Sequence, residues 1–139
     1  MTKLSIFTAR QGGLPGIITC MAPDVCKTPS PAGPVPIPYM IVSMMATASN
    51  TEPTVSSANM PTFKKNSFTS TSIGDQPGVA GGVVSNVFGG PCRPLTFDPT
   101  VLVKGMPVIR NNDMFEMNCA GPTGPSNTVG RLVMLHPEV

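Results

Sequence analysis

Four thiols and one imidazole are the side chains of this sequence whose chemistry goes beyond packing. Cys20, Cys26, Cys92 and Cys119 are separated by 5, 65 and 26 residues, a spacing that fits no standard zinc-finger pattern. Because we expect synthesis in a reducing compartment, metal binding or catalysis is favoured over disulfide formation. Free cysteines also pack as small buried hydrophobic residues, and that alternative stays open at this point.

Catalysis by one of these thiols would need a base within hydrogen-bond reach, and His136 is the single imidazole in the sequence. It lies in a proline-flanked tail, which is a poor place for exact geometry. The acidic residues lie mostly in or beside predicted turns with no evident pair, and Asp75 and Asp113 are expected to cap such turns. We therefore predict that the chain is not an enzyme. The alternative is a small metal- or thiol-dependent hydrolase effector.

Short strands are the elements that must position the thiols. Residues 99–119, PTVLVKGMPVIRNNDMFEMNC, predict a hairpin that turns at Lys104–Gly105 and delivers Cys119 to a loop. Residues 53–68 align without a gap on residues 99–114, with six identities at an offset of 46. Two hairpin copies at a fixed spacing are typical of a repeat architecture.

The rest of the chain also predicts short elements. Strands are expected at Leu4–Thr8, Ile17–Thr19 and Thr128–Leu135, and a short helix is allowed within Tyr39–Glu52. The proline-rich stretch at residues 21–42, in which Cys26 is embedded, indicates a rigid extended loop. Gly81–Gly82 indicates a backbone packed closely against another strand rather than a phosphate loop, since no Gly-Lys-Ser/Thr follows.

Composition indicates an ordered domain with little helix. Seventeen prolines and 14 glycines interrupt long helices, while 40% hydrophobic and only 12% charged residues argue against disorder. We predict a single domain over residues 1–139, with no C-terminal toxin domain, because too few residues follow Cys119 to form one. A net charge of +2 and the absence of tryptophan argue against nucleic-acid binding. Neither a membrane span nor a signal peptide is evident.

Three motifs make the chain similar to the PAAR-like family of contractile-injection tip proteins, the branch known as DUF4150. They are PDVCKTP at residues 23–29, GPVPIPY at residues 33–39 and the hairpin PTVLVKGMPVIR at residues 99–110. The hairpin resembles the repeating strand-turn-strand unit of PAAR domains, in which a cysteine follows. Together the motifs lie within residues 22–119, which is most of the chain.

This resemblance implies a mainly β fold, a small cone of short β-hairpins with pseudo-threefold repeats, Pro/Gly-rich loops and little helix. It implies that the base of the cone caps the trimeric VgrG-type spike of a type VI secretion system or another contractile injection machine. An effector or adaptor protein is a further expected partner, and neither nucleic acid nor stable membrane insertion is expected. We expect the chain to be made in the bacterial cytoplasm, assembled on the injection apparatus and delivered outward. Candidates to face the spike are Ile37, Tyr39, Val101 and Val103.

The resemblance also implies zinc as a cofactor. PAAR tips hold zinc with three histidines and a cysteine, and this chain departs from that pattern because it has one histidine. Cys119 follows its hairpin as the family cysteine does, while two other cysteines lie in loops where family histidines occur. The implied metal ligands are Cys20, Cys26, Cys92 and Cys119, with His136 as an alternative fourth ligand. Zinc accepts such ligand sets in tetrahedral geometry.

Overall fold

Short β-strands make up nearly all of the regular structure. The computed structural model describes residues 2–4, 9, 16–57, 60–121 and 123–134. The strands are Thr2–Leu4 (β1), Gly16–Cys20 (β2), Asp24–Thr28 (β3), Val35–Tyr39 (β4), Val42–Met44 (β5), Ala48–Ser49 (β6), Glu52–Ser57 (β7), Met60–Thr62 (β8), Phe68–Thr69 (β9), Arg93–Pro94 (β10), Asp98–Val103 (β11), Met106–Val108 (β12), Met114–Met117 (β13) and Thr128–Met134 (β14). The mainly β fold that the sequence predicts is confirmed.

The largest sheet has five antiparallel strands in the order β10-β13-β14-β2-β5. Along β13 the buried residues Phe115 and Met117 alternate with half-exposed neighbours, which is the two-residue period of a strand with one covered face. Ile18 and Leu132, paired between β2 and β14, are also completely buried. The Phe115 ring lies 5.7 Å from the ring of Phe63, centroid to centroid, and this contact joins the sheet to the segment after β8.

The two hairpins predicted from the 46-residue offset have the same register. In the first, Glu52 faces Thr62, Ser56 faces Pro61 and Ser57 faces Met60. In the second, Asp98 faces Val108, Leu102 faces Pro107 and Val103 faces Met106. Every residue of the second set is 46 positions after its counterpart, and both ladders shift register between the first and second pair. The same local sequence has therefore produced the same irregular hairpin twice.

Ala9 lies between the ends of these two hairpins. Its backbone nitrogen donates to the carbonyl of Ile109 at 2.7 Å, and its carbonyl accepts from the nitrogen of Phe63 at 2.9 Å. Phe63 and Ile109 are themselves 46 positions apart, and all three residues are fully buried. The described residues thus contain two matching units. The cone shape and pseudo-threefold symmetry implied by the resemblance stay predictions.

The prediction of a short helix within Tyr39–Glu52 is wrong. The segment contains β5, β6 and a 3-10 turn at Met45–Thr47, which is the only helical segment of the described residues. Burial at Ile41, Ser43 and Met45 follows a two-residue period, and the backbone of Val42 exchanges hydrogen bonds with Ile73 at 2.8 and 2.9 Å. Tertiary pairing has therefore replaced intrahelical bonds. No helix among the described residues is long and apolar enough to cross a membrane.

Two of the remaining strand predictions hold with shifted ends, and most of the third, Leu4–Thr8, lies outside the described residues. Strands form at Gly16–Cys20 and Thr128–Met134, close to the predicted positions. Near the N-terminus the strand is Thr2–Leu4, and residues 5–8 lie outside the described part. It pairs in parallel with β7.

The proline-rich stretch forms a hairpin, β3-β4, rather than a loop. Cys26 faces Ile37, and Pro36 and Pro38 face the residues on either side of Cys26. Proline has no backbone N–H to donate. Residues two positions apart direct their backbone groups to the same side of a strand, so the residues of β4 other than Pro36 and Pro38 make the ladder bonds. Because β4 pairs with β3 alone among the described strands, its outer edge tolerates those prolines.

Candidate metal centre

Strand β3 brings an acid and a thiol to one face. Asp24 and Cys26 are two positions apart, and side chains at that spacing point to the same side of a strand. Both are fully buried. Cys26 also forms an isolated antiparallel bridge with Gly82, so a glycine-rich segment covers this face. The close packing predicted for Gly81–Gly82 is confirmed.

A turn carries a second acid over the same face. The carbonyl of Asp75 accepts from the nitrogen of Gly78 at 2.9 Å, which closes the turn. A side chain at Gly78 would clash with the Cβ of Cys26, so glycine permits the turn to press against β3. The Asp75 side chain is fully buried as a result.

The three side chains meet at one point. The Sγ of Cys26 lies 3.4 Å from Oδ2 of Asp24 and 3.8 Å from Oδ2 of Asp75. Among the described residues, this is the only group of three or more His, Cys, Asp or Glu side chains whose ligand atoms all lie within 4.8 Å of one another. Carboxylate oxygen and thiolate sulfur are both accepted zinc ligands.

Backbone and amide donors hold the two carboxylates in place. The Nδ2 of Asn118 lies 3.2 Å from each oxygen of Asp24, and the Nδ2 of Asn127 lies 2.5 Å from its Oδ1. The nitrogen of Gly89 donates to both oxygens of Asp75 at 3.1 Å. These donors come from segments far apart in sequence, so the cluster fixes the positions of several loops at once.

Burial and mutual repulsion perturb the acid–base chemistry of the cluster. Burial, followed by the charges of Asp24 and Asp75, raises the pKa of the Cys26 thiol to about 12. Burial, followed by the hydrogen bond shared with Asp24, raises the pKa of Asp75 to about 6. The described ion pairs involve other carboxylates, namely Glu52, Asp98, Asp113 and Glu116. Three acidic groups are therefore buried together without a lysine or arginine partner among the described residues, an arrangement that favours a proton or a metal cation among them.

Comparison with known families places this cluster in context. The profile of the toxin PAAR-like domain matches residues 17–124, more than half of the chain. The chain belongs to the toxin PAAR-like domain family. Neither the comparison with curated proteins nor the comparison with solved structures gave a match. Asp24, Cys26 and Asp75 all lie within the matched region of this PAAR-like chain.

The cysteines predicted as ligands in this PAAR-like domain lie at several places. Cys20, Cys26, Cys92 and Cys119 are all buried and none forms a disulfide. The Sγ of Cys20 accepts from the nitrogen of Ile41 at 3.2 Å and belongs to the hydrophobic core, as does Cys92. Burial raises the pKa of Cys92, and burial raises the pKa of Cys119 to about 12. Cys26 is the single cysteine of the close group, so the four-cysteine ligand set stays a prediction.

His136, the alternative fourth ligand, lies outside the described residues. Its role as a ligand also stays a prediction.

Sequence reasoning missed the two acids of the cluster. It assigned Asp75 to a turn cap and found no paired acids, yet Asp24 and Asp75 are buried side by side. One available signal was the Asp-x-Cys spacing within an apolar β-type stretch, since aspartate is depleted in strands. The turn role predicted for Asp113 is correct, because its Oδ2 accepts from the nitrogen of Arg110 at 2.7 Å.

Proposed function

We propose that this chain is a non-enzymatic spike-tip protein that caps and sharpens the trimeric VgrG-type spike of a contractile injection machine. In this proposal the tip also recruits effector or adaptor cargo. The chain is made in the bacterial cytoplasm, assembled on a type VI or phage-tail-like apparatus and delivered outward with the spike. Membership of the toxin PAAR-like domain family supports a role associated with the spike tip or its effectors.

The observation that carries the proposal is the pair of hairpins in identical register. A single polypeptide that presents the same unit at two positions suits a partner with repeated equivalent surfaces, such as a symmetric trimer. Ala9 is hydrogen-bonded to equivalent residues of both units and so joins them. In this proposal the two units form part of a pseudo-threefold base that fits the end of a threefold spike.

The exposed faces of the hairpins offer a means of docking. Val101 and Leu102 on β11 are 39% and 58% exposed, and Ile37 on the proline-bearing strand is 37% exposed. Val103, which the sequence suggested as a spike-facing residue, is buried within the chain itself and presents almost no surface to a partner. Apolar side chains beside open strand edges suit strand addition to the last β-layer of a spike.

The state of the thiols supports a structural role over hydrolysis. A cysteine nucleophile reacts as the thiolate, and the raised pKa values of Cys26 and Cys119 keep both thiols protonated near neutral pH. Cys26 also faces two acids rather than a cation or an imidazole among the described residues. These features favour the tip over the hydrolase alternative.

We include a bound zinc ion in the proposal. The donor set of the cluster fits zinc, because one thiolate and two carboxylates are ligands that this ion accepts. When bound, zinc would act as a structural cross-link between strand β3 and the turn that begins at Asp75. The protein residues would orient the ligands and shield the site from bulk solvent.

The docking proposal is tested by mixing the purified chain with the purified VgrG-type trimer from the same genome. Light scattering after size exclusion is expected to give a complex of one chain per trimer. A Val101→Asp/Leu102→Asp double variant should weaken binding by at least about tenfold, because a charge would enter an apolar contact. Val84→Asp, at an exposed loop position outside both hairpins, is the matched control. Three chains per trimer, or no complex, would contradict the cap.

A further inference from the structure

We infer that Asp24, Cys26 and Asp75 bind one Zn²⁺ ion, and that this ligand set, rather than the four cysteines, is the metal site of the protein. The inference rests on the zinc part of the proposed function and is independent of spike docking. One water molecule completes the tetrahedron in this assignment. The site joins strand β3 to the turn that begins at Asp75.

The interatomic distances match those between neighbouring ligands of one ion. With Zn–O bonds of about 2.1 Å and a Zn–S bond of about 2.3 Å, tetrahedral geometry separates oxygen and sulfur by about 3.6 Å. The two sulfur–oxygen distances at Cys26 are 3.4 and 3.8 Å. Both sulfur–oxygen distances are thus within about 0.2 Å of the separation expected for two ligands of one zinc ion.

The ligands are oriented by hydrogen bonds from outside the group. Ligating carboxylates in metal sites are normally hydrogen-bonded in this way, and such partners fix their direction. The Asn118 amide donates a hydrogen bond to Asp24, and its own Oδ1 accepts from the nitrogen of Gly90 at 2.9 Å, which fixes the amide orientation. The Gly89 nitrogen donates a hydrogen bond to Asp75. Gly89 thus orients Asp75 directly, and the adjacent Gly90 fixes the Asn118 amide that orients Asp24.

A divalent cation would offset the negative charge that the cluster buries. The metal-free cluster holds two carboxyl groups and a protonated thiol, and once the thiol becomes a thiolate ligand, Zn²⁺ reduces the three negative charges to one. Binding breaks the S–H bond of Cys26, forms a Zn–S bond and releases the thiol proton to solvent. No oxidant or reductant takes part. The amide and backbone donors then stabilise the remaining negative charge.

The four-cysteine alternative has less geometric support. Neighbouring sulfurs of a tetrahedral Zn(Cys)₄ site lie about 3.8 Å apart. Among the described residues, no three of the predicted thiols lie within even 4.8 Å of one another. Cys20 instead accepts a backbone hydrogen bond from Ile41 and has the thioether of Met40 3.9 Å away.

The test is a titration of the full-length, metal-free chain with Zn²⁺ and, as a spectroscopic probe, Co²⁺. We expect one ion per chain and a near-ultraviolet thiolate-to-cobalt band of single-thiolate intensity. Cys26→Ser should abolish that band, and Asp24→Asn or Asp75→Asn should weaken Zn²⁺ binding at least about 100-fold, since even outer partners contribute about 10–100-fold. Cys20→Ser and Cys119→Ser, which change buried thiols outside the group, should leave affinity within about threefold.

Asp75→Asn keeps the test decisive if other variants fail to fold. Its amide oxygen can still accept from Gly89, and its neutral amide removes a buried carboxyl whose charge is disfavoured. Without metal we therefore expect this variant to melt at or above the wild-type temperature, yet to gain no thermal shift from Zn²⁺. Spike binding measured on the same variant separates loss of metal from loss of docking.

Three results would overturn the inference. They are the absence of Zn²⁺ and Co²⁺ binding by the wild-type chain, binding that survives Asp75→Asn, and a cobalt band of multi-thiolate intensity that depends on Cys92 or Cys119.

Discussion

Glu52 and Asp98, 46 positions apart, each accept a hydrogen bond from the hydroxyl of the threonine two residues later, and both oxygen–oxygen distances are 2.6 Å. The same carboxylates also accept from the backbone nitrogens of Thr54 and Thr100, at 3.2 and 2.9 Å. Each hairpin therefore begins with the same pair of hydrogen bonds from a threonine to an acid, called here the clasp: Glu52–Thr54 in the first hairpin and Asp98–Thr100 in the second. The clasp lies where the register shifts, so it holds the bulged part of both strands.

The basic residue that closes each clasp is repeated at the same offset. Lys64 approaches Glu52 at 3.8 Å, and Arg110 approaches Asp98 at 3.4 Å. Three positions further on, Ser67 accepts from the nitrogen of Lys64 just as Asp113 accepts from that of Arg110. Serine and aspartate thus perform the same turn-closing role at equivalent places.

The clasps predict a loss of stability in acid. Hydrogen bonds from threonine, the largest cause in each case, lower the pKa values of Glu52 and Asp98 from ordinary values of 4.5 and 3.8. Groups with a depressed folded pKa stabilise the fold above the unfolded pKa, and this contribution is lost as pH falls through the folded value. A Glu52→Gln/Asp98→Asn variant should have a lower urea midpoint than wild type at pH 7, with the difference shrinking towards pH 2.5.

Threonine variants provide the control for this acid effect. Thr54→Val/Thr100→Val should reproduce the loss because the hydroxyl donors are gone, whereas Thr54→Ser/Thr100→Ser should retain the wild-type pH dependence. An equal difference between the carboxyl variant and wild type at both pH values would contradict the clasp as the cause.

The sequence predicted the hairpins because their determinants are local. Register and bulge depend on residues close to each turn, so the repeated Pro-Thr-Val and Met-Pro pieces could be recognised from the sequence alone. The Asp24–Asp75 pair could not be found in this way, since the two acids are far apart along the chain and only the turn at Gly78 brings them together. The incorrect helix near Ile41 has a similar origin, because pairing with the segment at Ile73 determined its conformation.

A methyl group at Gly78 should destabilise the protein. In Gly78→Ala the new Cβ would meet the Cβ of Cys26, with the Asp75 carbonyl and the Tyr39 ring each 3.2 Å away. Crowding of this kind costs about 1–3 kcal/mol. Urea unfolding should detect that loss, while the neighbouring exposed change Val79→Ala should stay within about 0.5 kcal/mol of wild type. Equal stability of the two variants would show that the turn adjusts freely.

Removal of a ring from the buried aromatic pair should be more damaging. Phe115 is fully buried in the central sheet and packs on Phe63, so Phe115→Ala leaves a cavity and should cost about 3–5 kcal/mol. Phe88 is 44% exposed, and Phe88→Ala should cost less than about 1 kcal/mol. The check is the difference between their unfolding free energies. A comparable loss in both would mean that the contact with Phe63 does not tie the sheet to the first hairpin unit.

The thiols of the folded, metal-free protein should resist alkylation. Reaction requires an exposed thiolate, and all four cysteines are buried, with the pKa values of Cys26 and Cys119 raised to about 12. We expect iodoacetamide at pH 8 to label less than one thiol per chain in the time that labels four in guanidinium. Peptide mass spectrometry should find Cys20 modified first, because it retains 6% exposure while the other three are fully covered. Early modification of Cys26 would contradict a closed cluster and would mean that the turn at Asp75 opens readily in solution.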